Sequence, residues 1–267
     1  MSSVAYKNTG EIRIYALFCG GDMMDMAVFD PFDEKVGTKC FNPYYAYLIT
    51  HPAGNVLFDT AGHPDLRTNA QSRLGAAASA FEVVMEPSDW VIPRLRELGL
   101  EAGDVGHVVQ SHLHFDHAGG LQWFRHAKIY VQRRELEFAR NPPVYQKTAF
   151  VADDFEHDLD WHVLEGEHDM FGDGLLTIIP TPGHTPGHQS LLVRLKSRPV
   201  FLLADTTYLL SKMRQRALPG LLWSPDALID TWDKVERIEA VENARLVATH
   251  ELDFKSSVPK APEHWYD

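Results

Sequence analysis

The stretch Ser111-His112-Leu113-His114-Phe115-Asp116-His117-Ala118-Gly119-Gly120 places three imidazoles and a carboxylate within six residues. His112, His114 and Asp116 are spaced i, i+2, i+4, which in extended backbone sets them on one side. His117 follows directly, where small residues let the chain turn into a helix. Imidazole nitrogen and carboxylate oxygen are ligands that zinc, iron(II) and manganese(II) accept. Crowded this tightly without a cation, such groups would be costly to desolvate. The stretch therefore points to metal binding.

The chain around it has 267 residues and 45% hydrophobic content. That is enough for a full core, in one large domain or two packed halves. Lys and Arg number 25 against 37 Asp and Glu, a formal charge of −12. A nucleic-acid groove or an anionic membrane surface would want clustered cations, so neither is expected as a partner. No apolar run approaches the ~20 residues that span a bilayer. The first ten residues lack a basic flank followed by an apolar core, so no signal peptide is expected. Only Cys19 and Cys40 occur, with no Cys-x-x-Cys. A disulfide framework is excluded, and buried thiols in a reducing cytoplasm are the expectation. One disulfide between the two stays open.

Outward from the opening stretch, 107–110 is a short apolar strand that delivers it. Residues 11–19 alternate as a strand that Gly20-Gly21 ends. Residues 44–50 and 56–59 flank a turn and read as a hairpin. Residues 63–87 are irregular and suit a lid or an interface. Ser88 is an N-cap for a helix with Val91, Leu95 and Leu98 on one face, closed by Gly99. Strands are expected over 127–132, 175–180, 190–195, 200–204 and 245–249, and a helix over 133–140. Ser224-Pro225 starts a helix whose apolar positions are Leu228, Trp232, Val235 and Ile238. The acidic, histidine-rich 144–170 carries no assignment, and Asp153-Asp154 reads as a solvated face.

The pattern implies an α/β fold, two sheets sandwiched with helices outside. Asp59, the 112–117 cluster, His184, Asp205 and His250 each follow an apolar strand-like run. Sites assemble on such strand ends, so these separate pieces are expected to converge at one edge.

The stretch 112–117 matches the His-x-His-x-Asp-His signature of the metallo-β-lactamase superfamily, and the chain resembles that family throughout 57–250. Leu57-Phe58-Asp59-Thr60 resembles its early aspartate motif. Thr181-Pro182-Gly183-His184-Thr185-Pro186-Gly187-His188, Leu203-Ala204-Asp205 and Thr249-His250 resemble the later ones. The resemblance implies a single 1–267 domain with the four-layer αβ/βα sandwich and a two-metal site at one edge. His112, His114 and His184 would hold one cation. Asp116, His117 and His250 would hold the second, with Asp205 bridging. Asp59 would orient a ligand histidine. Two divalent ions are implied, zinc first, with iron, manganese or cobalt able to take the same ligands.

Within the superfamily the chain looks most like the N-acyl-homoserine lactonases, which open a lactone ring by attack of a hydroxide bridging the two metals. In that resemblance Tyr208, three residues after Asp205, faces the substrate carbonyl, and Asp116 shuttles a proton. The implied partner is a small lactone or ester, in a monomer or a homodimer. A thioester or aryl-ester hydrolase of the glyoxalase II type shares the ligand set; against it, only Lys255 and Lys260 stand near the C-terminus to grip a glutathione carboxylate. No Gly-x-Ser-x-Gly occurs, so a serine hydrolase is disfavoured. Met23, Met24, Met26 and Phe29, with Phe115, Leu121 and 218–223, are candidate walls for an acyl chain. The histidines outside the motifs read as surface or structural, except His188, whose place beside His184 suggests a supporting role.

Overall fold

The computed structural model of the protein describes residues 11–253 and 258–267. The opening ten residues, read above for a leader, and Lys255 lie outside them. Seven strands form the first sheet: β1 (Arg13–Asp25), β2 (Lys39–Thr50), β3 (Asn55–Phe58), β4 (Glu82–Val84), β5 (Val105–Val109), β6 (Lys128–Gln132) and β7 (Asp160–Leu164). Their order is β4-β1-β2-β3-β5-β6-β7. The second sheet takes β8 (His168–Asp169), β9 (Leu176–Pro180), β10 (Gln189–Val193), β11 (Val200–Ala204) and β12 (Arg245–Ala248), in the order β12-β11-β10-β9-β8. The helical segments are α1 (Met26–Phe29), α2 (Leu66–Leu74), α3 (Val91–Glu97), α4 (Phe115–Ala118), α5 (Arg133–Arg140), α6 (Ala152–Phe155), α7 (Leu210–Gln215) and α8 (Pro225–Glu242).

Side-chain alternation builds the layers. In β3, Val56 and Phe58 face the second sheet and join Ile178, Leu191 and Leu202. Leu57 faces the other way and packs with Val91 and Leu95 of α3. On the far side, Leu192, Phe201 and Leu203 meet Leu228, Trp232 and Val235 of α8. Helix, sheet, sheet and helix thus stack as four layers, as expected. The parallel pairs β3–β5, β5–β6 and β11–β12 end their strands on one edge of the sandwich.

Some local expectations are corrected. Gly20-Gly21 does not end β1. The register shifts between Phe18 and Gly21, and pairing with β2 resumes to Asp25. Gly20 at φ +78 makes the bulge that a side chain would resist. The α3 helix begins after Trp90, not Ser88. Asp116 is not in extended backbone but in the helical turn α4, so the i, i+2, i+4 argument holds only for the two histidines. The 63–87 segment is not irregular: it carries α2, a 3-10 turn and β4, which pairs with β1. Asp154 is not on a solvated face. It is buried, ion-paired with Arg73 of α2, and burial pushes its carboxyl up to about 7 against the pull of Arg73. That pair ties α2 to α6. Met23 and Met24 lie in β1, while Met26 and Phe29 pack with Tyr208 and Leu209. Cys19 and Cys40 are both free thiols. Among the described residues, no helix is long and apolar enough to cross a membrane.

Candidate metal centre

The loops after β3, β5, β9, β11 and β12 converge at the shared strand edge. They bring together all seven side chains expected as ligands. Donor atoms of His112, His114 and His184 lie within 4.8 Å of one another. So do those of His112, His117 and Asp205, and those of Asp116, His117 and His250. Asp205 stands between the groups. Its Oδ1 is 3.1 Å from His117 Nε2 and 3.0 Å from His250 Nε2. Its Oδ2 is 3.4 Å from His184 Nε2 and 4.0 Å from His112 Nε2. Asp116 Oδ2 is 3.6 Å from His117 Nε2 and 3.8 Å from His250 Nε2.

Hydrogen bonds at Nδ1 set the ring tautomers. His117 Nδ1 donates to Asp59 Oδ2 at 2.8 Å. His112 Nδ1 donates to Ser111 Oγ at 3.0 Å, whose hydroxyl donates to Asp59 Oδ2 at 2.8 Å. His250 Nδ1 donates to the Pro43 carbonyl at 2.9 Å, and His184 Nδ1 to the Leu221 carbonyl at 3.2 Å. Each leaves a bare Nε2 turned inward. His114 instead presents Nδ1, 3.0 Å from His184 Nε2.

The donor set fits a pair of divalent cations on a direct physical ground. His112 Nε2, His117 Nε2, His250 Nε2 and Asp205 Oδ1 are fully buried without a hydrogen-bond partner. Buried polar atoms are almost always partnered, and four orphans around one point are what a cation satisfies. Charge says the same. Burial pushes His112 and His114 well below the usual imidazole range and His184 down to about 4. Burial also opposes a proton on His117 and His250, but Asp205 and Asp116 outweigh it and hold both up. Burial alone would raise Asp205, yet His250 and His117 keep it well below the carboxylate range. The carboxylates thus favour positive charge at this point, which a divalent cation would supply.

Non-local contacts hold this geometry. Asp59, at φ +61, collects four donor contacts, from His117, Ser111 Oγ, Ser111 N–H and Gln110 Nε2. Ala204, just before Asp205, is also in left-handed backbone, at φ +46. Such strain persists where surrounding structure over-determines it. From α8, Trp232 donates to the Thr206 carbonyl at 2.6 Å and Thr231 to the Pro182 carbonyl at 2.6 Å. One helix thus fixes the loops of both Asp205 and His184. His188 is fully buried, its Nδ1 2.9 Å from Thr181 Oγ1 and its ring 5.2 Å from that of His112.

Sequence reasoning passed over several residues here. Gln189 Nε2 donates to the carbonyls of Gln110 and Tyr130 and so joins the two sheets below the site. Gln132 donates to Gln189 Oε1 at 2.9 Å. Gln110 and Gln132 both close apolar runs, the same signal that singled out Asp59 and Asp205, but an amide carries no ligand chemistry to draw the eye.

Around the centre the walls are aromatic. The Tyr208 ring lies 5.6 Å from that of His184 and 5.4 Å from that of His250, with Phe29 5.6 Å behind it. Phe150 packs on His114 at 4.5 Å, and Phe81 on Phe115 at 5.1 Å.

A dinuclear metal centre at the edge of an αβ/βα sandwich is the class that fold and site define. A sequence profile of the metallo-beta-lactamase superfamily matches residues 41–250, and the chain belongs to that superfamily. It is 36% identical over 229 residues to the N-acyl homoserine lactonase AttM of Agrobacterium fabrum, covering 84% of this chain and 87% of that one. It is 27% identical over 225 residues to the N-acyl homoserine lactonase AiiA of Bacillus thuringiensis subsp. kurstaki, covering 83% and 86%. A solved N-acyl homoserine lactone hydrolase, with the product N-hexanoyl-L-homoserine bound at its catalytic metal center, matches with a TM-score of 0.85 at 24% identity. That match covers 94% of this chain and 98% of the other, and it concerns the fold.

Proposed function

We propose that the protein opens the lactone ring of N-acyl-homoserine lactones, a quorum-quenching hydrolysis, with two divalent cations, zinc first. The observation that carries this reading is the 36% identity to AttM across 84% of the chain. His112, His114 and His184 would hold one cation, and Asp116, His117 and His250 the other, with one Asp205 oxygen toward each. When bound, the cations supply a Lewis acid and lower the pKa of water enough to give a nucleophile near neutral pH.

The chain's own side chains do the rest. Burial, with Asp205, Asp116 and Asp22 nearby, pushes Tyr208 well above the usual phenol range. It therefore keeps its proton and can donate to the oxygen that gains charge as the carbonyl is attacked. Asp116 has 12% side-chain exposure against 0–3% for His117, Asp205 and His250, so it is the carboxylate best placed to pass a proton to the leaving ring oxygen. Phe150, half-buried beside His114, and the half-buried Val28 of α1 offer apolar surface for an acyl chain, whereas Phe115, Met26 and Phe29 are buried. The two free thiols suit a reducing cytoplasm.

The direct test follows proton release from short- and long-chain N-acyl-homoserine lactones by the zinc-loaded protein. No release at high enzyme concentration, with two zinc ions bound, would sink the reading; turnover of S-lactoylglutathione instead would favour a thioesterase.

Two further outcomes are expected. Asp59→Asn should weaken metal binding by about 10–100-fold, because the residue that fixes the His117 tautomer loses its charge. Competition with a chromophoric chelator measures this, and an unchanged affinity would remove Asp59 from the design. Stripping the metal should lower Tm. A ligand held at 100 times its Kd stabilises the native state by about 2.7 kcal/mol, and each kcal/mol moves Tm by roughly 2–4 °C in a chain of this size. Calorimetry with and without chelator checks it; equal transitions would argue against a centre that binds in the native state.

A further inference from the structure

Glu135 is a fully buried carboxylate that no step above employs. It stands at the third position of α5, where a glutamate ordinarily turns back to the N-cap N–H. Here it turns into the protein. Leu113 N–H donates to its Oε1 at 3.0 Å, and the Thr185 hydroxyl donates to its Oε2 at 2.5 Å. The Gly187 N–H donates to it as well. All three donors are uncharged. A buried carboxylate without a paired cation is costly, and several N–H and O–H donors are what offset the cost.

Where those donors sit is the informative part. Leu113 lies between His112 and His114. Thr185 follows His184, and Gly187 comes two residues later. One carboxylate therefore clamps the loop after β5, in the first sheet, to the loop between β9 and β10, in the second. Contact between the two parts is direct. A Cβ on Gly187 would lie 2.1 Å from Glu135 N, so that loop rests its backbone on the start of α5. The imidazoles carried by the two clamped loops approach to 3.0 Å, His114 Nδ1 to His184 Nε2. By contrast, His117 and His250 are oriented through Asp59 and Pro43, and neither of these hydrogen bonds passes through Glu135.

We propose that Glu135 is a positioning residue that sets the spacing of His112 and His114 from His184, and so tunes one of the two metal sites without the other. This rests on the ligand assignment under Proposed function. Two oxygens matter, because three donors arrive from two loops. Glutamine keeps the shape but offers one acceptor, and its amide N–H₂ would face a donor.

The test is a Zn²⁺ titration of the metal-stripped protein against a chromophoric chelator, giving two stepwise constants. In Glu135→Gln, one constant is expected to weaken by about 10–100-fold, as for other partners of metal ligands, while the second stays within about threefold of wild type. A role in folding alone would lower the Tm of the metal-free protein without separating the two constants. If wild type binds fewer than two equivalents, the ligand assignment falls and this inference falls with it. If wild type binds two and Glu135→Gln leaves both constants unchanged, or weakens both equally, the inference alone is overturned. Should Glu135→Gln fail to fold, Thr185→Val removes a single donor and decides the matter. It is expected to weaken the same constant by a few-fold, and two unchanged constants would overturn the proposal.

Discussion

Asp205→Ala is expected to abolish turnover and to lower the bound metal from two equivalents. The two oxygens of Asp205 face different imidazole groups, Oδ1 toward His117 and His250 and Oδ2 toward His184 and His112. Alanine removes both at once and leaves the two groups of imidazoles without the carboxylate that stands between them. Loss of an outer partner of a metal ligand already costs about 10–100-fold, so loss of the shared carboxylate should exceed about 100-fold in kcat/KM. Elemental analysis beside the lactone assay reads both effects. Asp205→Asn, which keeps the shape, serves as the control should alanine disturb folding. Two equivalents of metal with turnover within tenfold of wild type, in either variant, would remove Asp205 from the bridging place.

Tyr208→Phe separates oxyanion chemistry from packing. The ring stays against Phe29, His184 and His250, so only the hydroxyl is lost. If that hydroxyl donates to the charge that develops on the carbonyl oxygen, kcat should fall by about 10–1000-fold, or roughly 1.4–4 kcal/mol. Metal content should stay at two, since the clustered His and Asp donors are all left in place. An unchanged kcat would make Tyr208 a wall of the pocket and no more.

Much of this centre was legible in the linear chain because its chemistry is locally dense. Ligand residues at His-x-His-x-Asp-His spacing are unusual in any polypeptide, and the carboxylates at 59 and 205 each terminate an apolar run. The strands β3, β6, β9 and β11 were legible for the same reason: continuous apolar character marks a strand covered on both faces. Less legible was anything whose partner is remote. Asp154 reads as solvated charge, since nothing near it in sequence announces that Arg73, 81 residues away, pairs with it in the interior. Gly20-Gly21 looked like a stop because a bulge and a turn draw on the same glycine conformations. Ser88 had the chemistry of an N-cap, but α3 starts after Trp90, which has no capping side-chain bond.

The sequence by itself determined the ligand types, the order of the motifs and the layered α/β pattern, because side-chain chemistry and periodicity are local properties. Only the tertiary structure decided which atoms meet. It brought loops from two sheets to one edge, gave each Asp205 oxygen its own imidazoles, turned Nε2 inward by placing Asp59, Pro43 and Leu221 behind the rings, and set Glu135 between two loops. Each of these depends on hydrogen bonds between residues tens to hundreds of positions apart, which a spacing pattern in the chain cannot encode.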